Sequence, residues 1–202
     1  PEEFIFDEAE KLIYSGHPLE HPIAGDIDSV ERISREDLTA FYKNHYTADN
    51  IIIAAAGNIK HEQLLETVNK YFQFPENYSD RIAVFSPEQL NAQQRLMEKT
   101  YHQTQIMFCR QIPGIMSVDR YPLTALNVIL GDGLSSRLYL SLREESGLAY
   151  NVESGIQMLA DTGIFHIYAG TDKSKAGHAI ELIKKEFSKL ITNPLSESEI
   201  IR

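Results

Sequence analysis

The stretch that decides the fold is AYNVESGIQMLADTGIFHIYAG, which runs from Ala149 to Gly170. Two strand-like runs, at about 149–159 and 163–170, flank a short polar segment from Asp161 to Gly163. Two such runs joined by a short segment that contains Asp and Gly are typical of a β-hairpin. The sequence therefore predicts an antiparallel pair of strands in this part of the chain.

Further elements lie on both sides of this hairpin. Strand-like runs at about 93–101 and 104–112 precede helical patterns at about 119–130 and 136–145. A long final helix is marked by apolar residues at helical spacing, namely Ile180, Ile183, Phe187, Leu190 and Ile191. Strands that pair with close neighbours, with helices between and after them, predict an α+β fold. We expect mostly antiparallel sheets with helices packed on one face.

The N-terminal part of the chain has its own pattern of elements. Helical spacing covers about 2–15, and a second helix is predicted after Ser34, which forms a capping-box pattern with Asp37. The stretch NIIIAAAG, from Asn50 to Gly57, is predicted to be a buried strand. A further amphipathic helix follows it, and residues 16–33 are predicted to be a loop. Tyr42 and Tyr46, four residues apart, are predicted to lie in the core.

A change in composition suggests where one domain ends. Residues 73–91 lose their periodicity and are rich in Pro, Asn, Ser and Asp, as expected for a linker. We therefore expect residues 1–85 to be the C-terminal part of a first domain and 92–202 to form most of a second. Ser196 and Glu199 have the spacing of a helix start. The second domain is therefore expected to be truncated at its C-terminus, and the chain to be a fragment of a larger protein.

Charge and composition exclude several classes of protein. The chain has 19 Lys and Arg against 29 Asp and Glu, a net charge of −10 that argues against nucleic-acid binding. Its single cysteine, Cys109, excludes an intrachain disulfide. The longest apolar run is far shorter than a membrane span. We expect a soluble protein, cytoplasmic or periplasmic, and the sequence does not assign the compartment.

His17, Glu20 and His21 spell H-x-x-E-H, a zinc-binding signature, in the stretch HPLEH. That signature needs a helix, which places both imidazoles on one face. Pro22 opposes a helix here because it lacks an N–H and disfavours helical backbone at His21. We therefore interpret these three residues as a decoy rather than as metal ligands. The alternative is that His17 and His21 do bind zinc, with a third ligand such as Glu98.

Three segments resemble a known family: PEEFIFDEAEKLIY, HPLEHPIAGDIDSVERISREDLTAFYKNHYTADNIIIAAAGNI and VILGDGLSSRLYLSLREESGLAYNV. They are similar to peptidases of the pitrilysin/insulinase type, the inverted zincins, which include mitochondrial processing peptidase. The resemblance implies a zinc metalloendopeptidase that acts on peptides or unfolded polypeptide segments. It also implies that the true zinc helix lies upstream of PEEF, so that zinc is the cofactor of the parent protein and this fragment is inactive.

The same resemblance assigns two site residues in the second domain. Arg143 and Tyr150, seven residues apart (150 − 143 = 7), match an arginine and a tyrosine that reach the substrate. A guanidinium and a phenol are suitable hydrogen-bond donors to a carbonyl oxygen that gains negative charge. The alternative is structural: Arg143 pairs with a carboxylate and Tyr150 fills the start of a strand. The family further implies a dimer or a paired subunit, and some relatives are non-catalytic partner or structural subunits.

Other candidate residues have simpler explanations. Gly131-x-Gly133 before a helix could cradle a phosphate, but a glycine turn with Ser135 or Ser136 as helix cap explains it better. His166 is predicted to pack within its strand. His61 and His178 are predicted to face water near helix starts.

Overall fold

The computed structural model describes residues 2–74, 87, 92–193 and 195–200. The chain divides into two compact units, one formed by Pro1–Pro22 with Phe85–Arg202 and the other by Ile23–Val84. The first helix thus groups with the C-terminal part of the chain. No helix within the described ranges combines the length and the apolar character that a membrane crossing needs.

The first unit is built on a three-stranded antiparallel sheet. The strands are β1 (Thr104–Pro113), β2 (Ala149–Met158) and β3 (Thr162–Thr171), in the order β1-β3-β2. The predicted hairpin is β2–β3, and its tight turn is closed by a hydrogen bond from the Leu159 N–H to the Thr162 carbonyl at 2.8 Å. The antiparallel hairpin is therefore confirmed, with its turn slightly earlier than predicted.

One face of the sheet carries the core. Phe165, Ile167 and Ala169 on β3 share this face, because every second side chain of a strand points to the same side. All three are buried. Three helices contribute to this core: α5 (Arg120–Leu130), a π-helix (Tyr139–Glu145) and α6 (Ala176–Thr192). An antiparallel sheet with these helices packed against it confirms the predicted α+β fold.

Helix α6 shows both the strength and the limit of the periodicity argument. Ala179 and Ile183, four residues apart, are completely buried, as one face of a helix against a sheet should be. Ile191 was predicted to continue this apolar face, but it is 85% exposed. It lies in the last turn of α6, close to the Asn193 cap.

Helix α1 (Glu2–Ile13) lies against the opposite face of the sheet. The ring of Phe6 packs edge-on against His166 at 5.0 Å between centroids, and it also contacts Tyr168 at 5.9 Å. Burial lowers the pKa of His166, because the charged imidazolium is less well solvated there. His166 is thus packed, as predicted. The sheet therefore has a helix on each face, although only one face was expected to be covered.

A short helix, α7 (Glu197–Ile200), is fastened to the start of the π-helix region by an ion pair. The Arg137 guanidinium donates to both carboxylate oxygens of Glu199, with Nε–Oε1 at 2.6 Å and Nη2–Oε2 at 3.1 Å. These bonds, with donors from Ser196, lower the pKa of Glu199 to about 2. The predicted pairing of Ser196 with Glu199 is confirmed, since the Ser196 N–H donates to the carboxylate at 2.9 Å.

The second unit contains helices α2 (Ile27–Arg32), α3 (Arg35–His45) and α4 (His61–Tyr71). The predicted capping box at the start of α3 is confirmed: the Asp37 N–H donates to Ser34 Oγ at 3.1 Å, and the Ser34 N–H donates back at 2.9 Å. Helix α2 lies in the predicted loop, where Asp26 and Ser29 form a second capping box. The loop prediction missed it because α2 has only six residues.

Three predictions about this unit and the linker region are corrected. Residues 51–56 are extended without forming a strand, and Ile52 is 95% exposed. The run at 93–101 is likewise unpaired, and Leu96 is 87% exposed. An extended segment becomes a strand only when a neighbour accepts and donates its backbone hydrogen bonds, and no described segment does so for either run. Tyr42 and Tyr46 stack at 4.9 Å but are half exposed rather than in a core.

The predicted linker at 73–91 falls mostly outside the described residues. Only residues 73, 74 and 87 of that stretch are described.

Candidate functional site

The HPLEH stretch folds as a single 3₁₀ turn. His17 is the N-cap of the turn Pro18–Glu20, and its Nδ1 accepts the Leu19 N–H at 3.2 Å. His21 ends the turn with extended backbone (φ −85°, ψ 134°), as expected for the residue before Pro22. The helical geometry that would align His17 and His21 on one face is therefore not formed.

The described structure does not bring His17, Glu20 and His21 together as ligands of one metal ion. One nitrogen of His17 is occupied by the backbone, and the Glu20 carboxylate accepts the Gly16 N–H at 2.7 Å. A zinc ion in a protein needs at least three converging ligands. Within the described part of the chain, no three or more His, Cys, Asp or Glu side chains are grouped so that they could hold a metal ion.

Arg143 and Tyr150 lie on either side of one tight turn. Arg143 is near the end of the π-helix and Tyr150 is the second residue of β2. The turn between them is closed by hydrogen bonds from the Gly147 N–H to the Arg143 carbonyl (3.2 Å) and from the Leu148 N–H to the Leu142 carbonyl (2.8 Å). Gly147 has φ +55°, a left-handed conformation that glycine adopts without strain. Both side chains are exposed to solvent.

Tyr150 occupies a β-bulge. Ala149 pairs with Thr171 and Asn151 with Gly170, so Tyr150 is an extra residue with no partner of its own on β3. A bulge bends the strand and redirects the side chain at that point. The buried Ala149 is consequently followed by two exposed residues, and Tyr150 is 56% exposed.

The Tyr150 hydroxyl is held by a residue that the sequence analysis missed. It donates to the Asp172 carboxylate, with 3.3 Å to each oxygen. Asp172 directly follows β3, and Lys175 Nζ lies 3.5 Å from its Oδ2. Lys175 Nζ also donates to the Gly147 carbonyl at 3.2 Å. We call Gly147, Tyr150, Asp172 and Lys175 the Tyr150 cluster. The pair Gly147 and Tyr150 is separated by at least 22 positions from the pair Asp172 and Lys175 (172 − 150 = 22). Sequence spacing alone therefore gave no signal for the cluster.

Arg143 has an aromatic neighbour on its own helix. Its guanidinium carbon lies 5.1 Å from the centre of the Tyr139 ring, a cation–π contact between residues four apart. Residues at that spacing share a helical face, so this contact could have been predicted from the sequence. The contact orients Arg143 without occupying its N–H donors in a carboxylate pair.

The glycines of GDGLSS have structural roles. Gly131 ends α5, and a Cβ at this position would lie 2.5 Å from the Ser154 nitrogen. The Ser154 N–H donates to the Gly131 carbonyl at 3.2 Å, so the loop covers the outer edge of β2. Gly133 has φ +102°. The glycine turn is thus supported, but the Ser136 hydroxyl does not cap the following helix: it is buried and has no hydrogen-bond partner in the described structure.

His61 and His178 are exposed near the starts of α4 and α6, as predicted.

Comparisons with known proteins agree on one family. A family model described as "Peptidase M16 inactive domain" matches residues 32–202. The chain is 27% identical over 203 residues to an uncharacterized zinc protease of Mycobacterium leprae, covering 98% of this chain and 46% of that protein. It is 29% identical over 203 residues to an uncharacterized zinc protease of Rickettsia felis, covering 100% and 48%. The chain thus spans about half the length of these curated relatives.

Solved structures show the same fold. A crystal structure of the peptidase M16 inactive domain from Pseudomonas fluorescens matches with a TM-score of 0.88 and 26% identity, covering 98% of this chain and 48% of that one. A chain of Complex III2 from Candida albicans with Inz-5 bound matches with a TM-score of 0.86, covering 100% and 50%. At 21% identity, the second likeness shows the fold alone.

Proposed function

This chain belongs to the peptidase M16 family, through its inactive domain, and we propose that it is part of a zinc metalloendopeptidase acting on peptides or unfolded polypeptide segments. The resemblance to pitrilysin-type peptidases that GDGLSSRLY and REESGLAY carry in the sequence is thereby confirmed. In the parent protein, residues 1–85 would complete a first domain and 92–202 would form most of a second. The zinc would be bound outside this chain.

The role proposed for this chain is to contact the peptide group that is cleaved. Hydrolysis of an amide places negative charge on its carbonyl oxygen, and fixed hydrogen-bond donors stabilise that charge. The Arg143 guanidinium and the Tyr150 hydroxyl would supply such donors once the second domain closes over the substrate. The chain alone would be inactive.

The observation that carries this proposal is the bulge at Tyr150. Because of the bulge, Tyr150 and Asn151 are both exposed where a regular strand would turn one of them inward, and Tyr150 faces solvent beside the Arg143 turn. Bulges are frequent next to active sites because they redirect a side chain. The alternative, in which Tyr150 only fills the start of β2, is not supported by its 56% exposure.

The test is Tyr150→Phe in the full-length parent protein. This change keeps the ring and removes the hydroxyl, so kcat for an unfolded polypeptide should fall by about a hundredfold, as when one oxyanion donor is lost. Zinc content and the thermal unfolding midpoint should be unchanged. Tyr121→Phe is the matched control, since Tyr121 is also exposed, at 65%, but lies on α5 away from the Tyr150 cluster. Full activity of a folded, zinc-loaded Tyr150→Phe variant would remove Tyr150 from the mechanism.

A second candidate is a non-catalytic partner or structural subunit, which would pair with an active subunit in a dimer. The fold shared with a chain of Complex III2 favours keeping this candidate. The two candidates differ in the parent sequence: an enzyme needs a helical H-x-x-E-H and a further ligand upstream of this chain. Zinc analysis of the purified parent distinguishes them, because only the enzyme would contain stoichiometric zinc.

A further inference from the structure

We propose that Asp172 is a positioning residue for Tyr150: it accepts the hydrogen bond of the phenol before substrate binds, and the hydroxyl then turns to donate that hydrogen bond to the substrate oxygen. This inference rests on the proposed function of Tyr150. It starts from the hydrogen bond between the Tyr150 hydroxyl and both oxygens of Asp172.

The Tyr150 hydroxyl carries a single proton. A tyrosine hydroxyl has one proton to donate, and an ionised carboxylate can only accept. In the resting arrangement that proton points to Asp172. A substrate oxygen that gains negative charge must therefore take the place of Asp172 as acceptor.

The resting hydrogen bond between Tyr150 and Asp172 is weak. Both O···O distances are 3.3 Å, longer than the 2.5–3.0 Å usual for an O–H···O hydrogen bond. The Asp172 side chain is also 40% exposed, which further weakens its hold on the phenol. Such a contact orients the phenol but exchanges readily for a stronger acceptor.

Lys175 remains a partner for Asp172 after the phenol has turned to the substrate. Lys175 Nζ lies 3.5 Å from Asp172 Oδ2 and is itself fixed by the Gly147 carbonyl at 3.2 Å. When the phenol turns to the substrate, the carboxylate keeps Lys175 as its partner. The exchange thus leaves no charge without a counterion.

The Tyr150 ring needs a partner that orients it, because of its place in the fold. Tyr150 is on a bulge and 56% exposed, so it lacks the packing on all sides that fixes a core tyrosine. Without Asp172 the Tyr150 ring would sample several rotamers. The entropy cost of fixing the ring would then add to the activation free energy. Ordering one side chain corresponds to about a three- to tenfold change in rate.

The experiment is a double-mutant cycle in the full-length parent, with Asp172→Ala in the native and the Tyr150→Phe backgrounds. In the native background kcat should fall about three- to tenfold, while KM stays within about twofold. In the Tyr150→Phe background the same change should have no effect, because Asp172 would act only through the hydroxyl. Asp172→Asn should keep most of the activity, since its amide oxygen still accepts the phenolic proton. Asp119→Ala, an exposed carboxylate at the start of α5, is the control and should be silent.

Each other outcome overturns the inference. Unchanged or increased kcat in Asp172→Ala would show that Asp172 does not position the phenol. Equal losses in both backgrounds, or an equal loss in Asp172→Asn and Asp172→Ala, would show a structural or purely electrostatic role. If Tyr150→Phe alone is fully active, the proposed function fails; if only the Asp172 variants behave differently from expectation, this inference fails alone.

Discussion

Gly155 and Gly177 differ in the space that is available for a larger side chain. A Cβ at Gly155 would lie 2.4 Å from Cε1 and 2.6 Å from Nε2 of His166, the ring that Phe6 packs against. A Cβ at Gly177, in the first turn of α6, would meet nothing within 4 Å. The same substitution should therefore have opposite effects at the two positions.

We expect Gly155→Ala to lower the free energy of unfolding by about 1–3 kcal/mol, because the His166 ring has to move against Phe6. Gly177→Ala should instead raise it by up to about 1 kcal/mol, since alanine favours a helix. Urea unfolding, followed by circular dichroism, measures both. Equal effects of the two variants would show that the contact between Gly155 and His166 does not constrain the sheet.

At this scale the sequence supplied two candidate residues for the site. The positions of Arg143 and Tyr150 could be predicted because they lie seven apart in one recognisable motif. Asp172 could not be predicted, because it meets Tyr150 only through the pairing of β2 with β3. The bulge at Tyr150 was hidden for the same reason: it is a property of two strands, not of one.

The contact between α1 and the sheet is an element-scale feature that depends on pH. His166 lies between Phe6 of α1 and Gly155 of β2, and burial lowers its pKa below the ordinary value of 6.5. The unfolded chain therefore binds the proton more readily than the folded one. The contribution of His166 to stability is therefore unaffected well above pH 6.5 and becomes unfavourable as the pH falls below it.

We expect the free energy of unfolding to decrease between pH 7 and pH 5, with His166 contributing to that slope. In His166→Gln this contribution is absent, so the slope should be shallower. Denaturant unfolding at several pH values measures it. An identical slope in both proteins would mean that the α1 contact does not depend on the charge of His166.

Sequence patterns predicted well the elements whose signals lie within one short stretch of the chain. Helix α3 was predicted from its capping box, and the β2–β3 hairpin from its alternation and turn. The run at 50–57 was predicted as a strand from its continuous apolar character, and the run at 93–101 from a strand-like pattern. Apolar character marks a segment for burial, but a strand also needs a hydrogen-bonding neighbour, which neither run has among the described segments.

At the scale of the whole molecule, the two units differ in how far they bury their apolar residues. The first unit has a continuous core that includes Leu130, Leu138, Leu142 and Ile183, all completely buried. In the described part of the second unit, Ile27, Phe41 and Tyr71 are all more than half exposed. Exposed apolar side chains that lie together are typical of a surface that contacts another part of a protein or a partner. This agrees with a chain that spans about half the length of its curated relatives.

The central claim is that the Tyr150 hydroxyl contacts the carbonyl oxygen of the substrate as that oxygen gains charge. The most direct test is the affinity of the zinc-loaded parent for a phosphinic peptide, whose charged tetrahedral oxygen imitates that state. Tyr150→Phe should weaken this affinity by about the factor by which it lowers kcat/KM, while KM for the matching peptide substrate changes little. Phosphinate affinity that is unchanged in Tyr150→Phe, alongside reduced cleavage, would contradict the claim.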